Sequence, residues 1–196
     1  GISNDLKFVD VLESYGRANR LKRGKNYARG GQVVRLEVSR GRVDAPVQGS
    51  RPSPYQVTIG GDALTDQEWS AVLDAMAERS SIIATLLAGQ MPPEIEEVFE
   101  QAGTSLFPNG LEDMKTSCTC PDSANPCKHI AAVFYILAEK FDADPFLILT
   151  WRGRTKDELL ADLRQRRDSE GPIDSLEPDE PLADELDRFW TAGDET

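Results

Sequence analysis

The twelve residues C-T-C-P-D-S-A-N-P-C-K-H, positions 118 to 129, hold every cysteine and the one histidine of this 196-residue chain. The spacing is C-x-C-x6-C-x-H, formed by Cys118, Cys120, Cys127 and His129. Three thiolates and one imidazole are a complete tetrahedral donor set for zinc. Local geometry allows them to converge. In an extended segment Cys118 and Cys120 share one face, and Pro121 to Asn125 supply turn residues. Asn125 then reads as an N-cap with Pro126 opening a helix, which puts Cys127 and His129 in its first turn, facing the cysteine pair. One structural zinc ion is the cofactor this pattern calls for.

The same residues argue against catalysis. A Cys-His nucleophile pair needs a base, and the only histidine is committed to the metal. A zinc deaminase needs H-x-E with P-C-x-x-C, and the chain has neither. Four protein ligands leave no coordination position for a reacting water. No G-x-x-x-x-G-K-[ST] phosphate loop occurs. The expectation is a non-enzyme with no small-molecule substrate.

Periodicity sets the rest of the chain around this cluster. Residues 6–15 read as a short amphipathic helix. A Gly-containing basic segment follows, with Arg17, Arg20, Lys22, Arg23, Lys25 and Arg29 around the lone aromatic Tyr27; by composition it is a solvated connector. Residues 32–38, 42–48 and 55–59 alternate, with a tight turn at Gly41, and predict an antiparallel meander. From Thr65 the period becomes helical. Thr65 with Glu68 is a capping box, and Trp69, Val72, Leu73 and Met76 form an inner stripe. One helix, or two broken near Ser80-Ser81, reaches Leu87, and another covers 94–101. Beyond the cysteines, Ile130, Val133, Phe134, Leu137 and Phe141 predict a helix from Pro126 to Phe141. A short helix from Asp144-Pro145 and a last one from Thr155 to Arg166 complete the body. No run of about 18 apolar residues is present and the start lacks signal-peptide character, so a soluble, cytoplasmic protein with no membrane association is expected.

Charge is segregated. The net charge is -12, yet residues 1–54 carry 11 basic and 5 acidic side chains, whereas 168–196 carry 1 basic and 11 acidic. Arg17, Arg20, Lys22, Arg23, Lys25 and Arg29 are therefore candidate nucleic-acid contacts, joined by Arg152, Arg154, Lys156, Arg164, Arg166 and Arg167. The acidic, Pro-containing tail predicts disorder. Its end places Leu182, Leu186, Phe189 and Trp190 at i, i+4, i+7 and i+8, a stripe suited to docking in a partner's groove.

C-x-C-x6-C-x-H followed at once by the apolar I-A-A-V-F-Y-I-L resembles the SWIM zinc finger, a ββα unit with C-x-C, a variable gap and C-x-H. The resemblance carries Cys118, Cys120, Cys127 and His129 over as zinc ligands. The wider layout, with G-R-A-N-R-L-K-R-G-K-N-Y-A-R-G-G-Q-V-V, M-P-P-E-I-E-E-V-F and F-D-A-D-P-F, is similar to bacterial stand-alone SWIM proteins. That similarity implies association with a Swi/Snf-type helicase-like ATPase, placement in the cytoplasm at the nucleoid, and binding of DNA or protein without enzymatic activity. The finger's own segment is lean in cations: residues 101–150 carry 6 acidic and 3 basic side chains, which favours an adaptor role over direct phosphate reading by the finger. The resulting layout is α+β: a basic segment with the N-terminal meander (1–63), a mostly helical body (64–104), an inserted ββα SWIM-type finger with following helices (105–167), and the acidic tail (168–196).

Overall fold

The computed structural model describes residues 13, 18–108, 110 and 113–169. The helix expected over 6–15, the side chain of Arg17, and the Leu182, Leu186, Phe189 and Trp190 stripe lie outside the described residues. The chain divides into two compact units, Gly1–Leu163 and Arg164–Thr196. The described part of the second is the last stretch of one helix.

The fold mixes helices with one antiparallel sheet. In chain order the described elements are α1 (Ala18–Arg29), β1 (Glu37–Ser39), β2 (Arg42–Val47), β3 (Tyr55–Gly61), α2 (Asp66–Ala77), α3 (Ser80–Leu87), α4 (Ile95–Gln101), β4 (Met114–Cys118), α5 (Lys128–Ala143), α6 (Phe146–Arg152) and α7 (Lys156–Ser169). The sheet order is β1-β2-β3-β4, and each neighbouring pair is antiparallel. Alternation dictates its inner face: Val43, Ala45 and Val47 on β2, and Tyr55, Val57 and Ile59 on β3, are buried. The strand expected over 32–38 is shorter. Glu37–Ser39 pairs with β2, while nearer its start Val33 makes only an isolated bridge to Val47.

The strand that delivers the first cysteine closes the sheet from far along the chain. Val57 lies opposite Cys118 and Ile59 opposite Thr116, so the cysteine segment shares a sheet with the N-terminal strands. Across the sheet's inner face runs α5, buried along almost its whole length from His129 to Phe141.

The helical pattern divides at residues 78–79 into α2 and α3. Thr65 caps α2 as its composition requires: the Glu68 N–H donates to the Thr65 hydroxyl (3.3 Å), and the Thr65 N–H donates to Glu68 Oε2 (2.7 Å). Thr155 and Glu158 repeat the box at the start of α7 (3.3 and 2.8 Å). Helix α6 ends at Gly153, in the left-handed region (φ 115°). Its last carbonyls are not left to solvent. Gly41 donates to Trp151 O (2.8 Å), and both Leu64 N–H (2.8 Å) and the Trp69 indole (3.0 Å) donate to Arg152 O.

The largest correction concerns residues 18–29. The segment read as a solvated connector is α1, and it packs against α5 through Leu21, Gly24 and Ala28, all buried. These sit at i, i+3 and i+7, so one narrow face is apolar while the outer side is cationic and polar. Gly24 is in the middle because nothing larger fits: a Cβ there would lie 2.5 Å from the Ala131 Cβ and 3.1 Å from two backbone atoms of residues 131 and 132. The helix-weakening cost of glycine is offset by the close approach it permits.

Candidate metal centre

Strand β4, helix α5 and the loop between them bring the donors together. Cys118 ends β4, held by its register opposite Val57. Thr119 extends that pairing by one residue: its N–H donates to Gln56 O (3.1 Å) and its hydroxyl accepts from Gln56 N–H (2.9 Å). Cys120 therefore leaves the sheet edge from an anchored neighbour, lying past the strand rather than within it. Asp122 shapes the reversal, its carboxylate accepting from the Ala124 N–H (3.1 Å).

The return differs from the expectation at one point. Pro126 does not open the helix and Asn125 does not cap it. The N-cap of α5 is Cys127 itself, whose sulfur accepts from the Ile130 N–H at 3.5 Å, while Asn125 Oδ1 accepts from the Thr116 hydroxyl (2.6 Å). A thiolate is a good cap because the unsatisfied N–H groups and the helix dipole favour negative charge there. His129 follows in the first turn and is buried.

The four donor atoms lie within 4.8 Å of one another. His129 Nδ1 stands 3.8 Å from Cys118 Sγ and 3.9 Å from Cys127 Sγ. Zinc bonds of about 2.3 Å to sulfur and about 2.0–2.1 Å to nitrogen put the edges of a tetrahedron at about 3.6–3.8 Å, so the donors stand near the spacing that one zinc ion requires. Proton chemistry agrees. The Cys127 thiol is drawn well below the ordinary thiol range, chiefly by its hydrogen bond with Cys118 and then by His129 and the Ile130 N–H. Cys118 is pushed up by the same bond and by burial, and Cys120 chiefly by burial. Crowded thiols cannot all ionise unaided, and a divalent cation removes that conflict. Cys118, Cys120, Cys127 and His129 are positioned to bind one zinc ion.

Around these ligands stand residues that no local pattern singles out. Ligation through Nδ1 leaves the proton on Nε2, and that atom is buried with no hydrogen-bond partner among the described residues. The ring is held instead by Tyr55 (centroids 4.7 Å) and by Tyr27 edge-on (5.4 Å). Gly49 closes this shell, since a Cβ there would lie 2.4 Å from the Tyr55 ring and 3.3 Å from His129 Nε2. Tyr27 was visible only as a lone aromatic in a basic segment; Tyr55 and Gly49 gave no signal.

The candidate nucleic-acid residues separate. Lys22, Arg23, Lys25 and Arg29 lie exposed on α1. Arg20 is partly buried and pairs with Asp122 (3.4 Å). Arg152 and Arg154 are structural: the Arg152 guanidinium donates to Asp62 O (2.5 Å), and burial lowers its pKa. Arg154 lies between Asp66 (3.3 Å) and Asp162 (3.4 Å). A cation held this way has little left to offer a phosphate.

Three cysteines and a histidine positioned to close on one ion, gathered from a strand end and a helix start, make this a zinc-finger protein, and the SWIM zinc finger model matches residues 104–138. Over 188 residues the chain is 49% identical to a Mycobacterium tuberculosis (strain ATCC 25618 / H37Rv) protein named "Uncharacterized protein Rv2102", covering 94% of this chain and 68% of that one. The chain belongs to the same family as that mycobacterial protein. No solved structure matches it. No helix among the described residues is long and apolar enough to cross a membrane.

Proposed function

We propose that this protein is a non-catalytic, zinc-stabilised adaptor that works beside a Swi/Snf-type DNA-dependent ATPase in the cytoplasm, at the nucleoid. The observation that supports this most is the closed donor set: every cysteine and histidine of the sequence is spent on one site with four protein ligands, which leaves zinc no open position for substrate. The partner class is the one that the sequence resemblance implies. The acidic tail, with Leu182, Leu186, Phe189 and Trp190 at helical spacing, is the docking element of this reading.

The test combines purified full-length protein with a purified Swi/Snf-type ATPase from the same genome. A complex of fixed stoichiometry in sedimentation, with altered DNA-dependent ATP turnover and no turnover by the adaptor alone, is the expected result. Absence of a complex at micromolar concentrations overturns the adaptor role, and turnover by the isolated chain overturns its non-catalytic nature.

A second reading, direct nucleic-acid binding through the basic N-terminal half with the acidic tail as modulator, gains from one observation. The basic residues between 20 and 29 belong to an ordered helix and not to a connector.

A further inference from the structure

Helix α1 carries Arg20, Lys22, Arg23, Lys25 and Arg29 and no acidic residue. Their directions differ. At 100° per residue, Leu21, Gly24 and Ala28 define the face buried on α5, and Asn19, Lys22, Arg23, Asn26 and Arg29 fall on the opposite one, at i, i+3, i+4, i+7 and i+10. All five are exposed, and Lys22, Arg23 and Arg29 form no ion pair among the described residues. Lys25 lies beside them, its ammonium 5.5 Å from the centre of the Tyr135 ring. The stripe is cationic and amide-bearing, without an apolar side chain. From Lys22 to Arg29 it runs about 10 Å, roughly three nucleotides of one strand at about 3.4 Å each.

The inner side of the same helix is fastened to the metal centre at three points. Arg20 reaches Asp122 in the loop between Cys120 and Cys127 (3.4 Å). Tyr27 stands edge-on to the zinc ligand His129, and its hydroxyl accepts from Lys128 Nζ (2.8 Å). Gly24 lies against Ala131, two residues past that ligand. The buried stripe of Leu21, Gly24 and Ala28 is seated on α5, whose first turn holds the ligands Cys127 and His129, so the surface that α1 rests on is set by the same turn that the metal fixes.

We propose that the outer face of α1 binds the phosphate backbone of duplex DNA, and that the zinc centre presents it, so that loss of metal releases the DNA-binding face. The inference rests on the second reading above and places the contact outside the segment matched by the finger. With three or four phosphates engaged, affinity is expected to fall about 40- to 150-fold between 50 and 200 mM salt. The outer face is sequence-blind: it has cations and amides for phosphates, and nothing in the structure directs it to base edges.

The test uses the full-length, zinc-loaded protein and a fluorescein-labelled 20-base-pair duplex, followed by anisotropy across salt concentrations. The expected pattern is salt-dependent binding whose log-log slope drops by about one for each of Lys22→Ala, Arg23→Ala and Arg29→Ala. All three positions are exposed, so the variants keep their zinc and their fold. Zinc extraction by a chelator should abolish binding and, in hydrogen exchange, deprotect residues 18–29. Binding that survives the three substitutions overturns the location, and with it the inference alone; no binding at 50 mM salt overturns the second reading itself. Undiminished binding after zinc removal overturns the coupling. Displacement of the duplex by poly-L-glutamate at equal charge assigns the face to an acidic protein segment instead and overturns the choice of ligand.

Discussion

Two ends of the first unit are held together by different physics. At one, α2, α3, α4 and α6 interlock around Trp69, Phe99 and Trp151, each at most 1% exposed, with the Trp69 and Phe99 rings edge to face at 5.7 Å. At the other, α1, the end of β4 and the start of α5 meet around four donor atoms and a stripe containing a glycine and an alanine. The first spreads stability over many apolar contacts, where any one loss costs a few kcal/mol. The second concentrates it in a single ion, where one loss costs nearly everything. A small acidic protein gains a charged surface in this way without enlarging its core.

The largest expected effect follows from metal removal or Cys127→Ser. Structural zinc sites carry apparent binding free energies of about 10–16 kcal/mol in zinc-finger peptides at neutral pH, comparable to the whole stability of a domain. Hydrogen exchange should show residues 18–29, 114–118 and the first turn of α5 opening while α2, α4 and α6 stay protected. Simultaneous opening of both ends would erase the distinction between them.

Trp69→Ala probes the opposite end. Losing a fully buried indole that also donates to Arg152 O should cost about 3–5 kcal/mol, read as a shift in denaturation midpoint, with one zinc still bound per chain. Zinc loss in this variant would mean that the metal site depends on the apolar end.

Gly24→Ala sets two effects against each other. Alanine favours a helix by about 1 kcal/mol over glycine, but its methyl would stand 2.5 Å from the Ala131 Cβ, and overpacking costs about 1–3 kcal/mol. Net destabilisation is expected because backbone atoms at 3.1 Å limit the relief. A stabilised variant would show that α1 is not closely seated on α5.

The smallest effect is Thr65→Ala, about 1 kcal/mol, and it carries a pH signature. Hydrogen bonds from the Thr65 N–H and hydroxyl hold the Glu68 carboxyl below its ordinary value. A depressed folded-state pKa stabilises above the unfolded value of about 4.3 and loses that contribution as pH falls through the lowered one. The gap between wild type and variant in thermal melts should therefore be constant near neutrality and narrow below about pH 4.3.

Legibility in the sequence followed the range of the interaction. The zinc ligands, the Thr65 capping box and the stripes of α2 and α5 depend on neighbours a few residues apart, and spacing alone reveals them. Helix α1 escaped because Leu21, Gly24 and Ala28 give a weak apolar signal among five cations, and because glycine ordinarily marks a loop. The cap of α5 is hidden because Asn125-Pro126 carries the commoner helix-start signal, whereas the helix is capped by the Cys127 sulfur. Tyr27, Tyr55 and Gly49 come from separate elements, and only the folded sheet brings them to His129.

The closed zinc site is tested most directly by X-ray absorption at the zinc edge of the purified full-length protein, with the metal quantified in the same sample. One zinc per chain is expected, bound by three sulfurs at about 2.3 Å and one nitrogen at about 2.0–2.1 Å. A chain without zinc, or a spectrum requiring an oxygen ligand in place of sulfur or nitrogen, would contradict a closed structural site formed by Cys118, Cys120, Cys127 and His129.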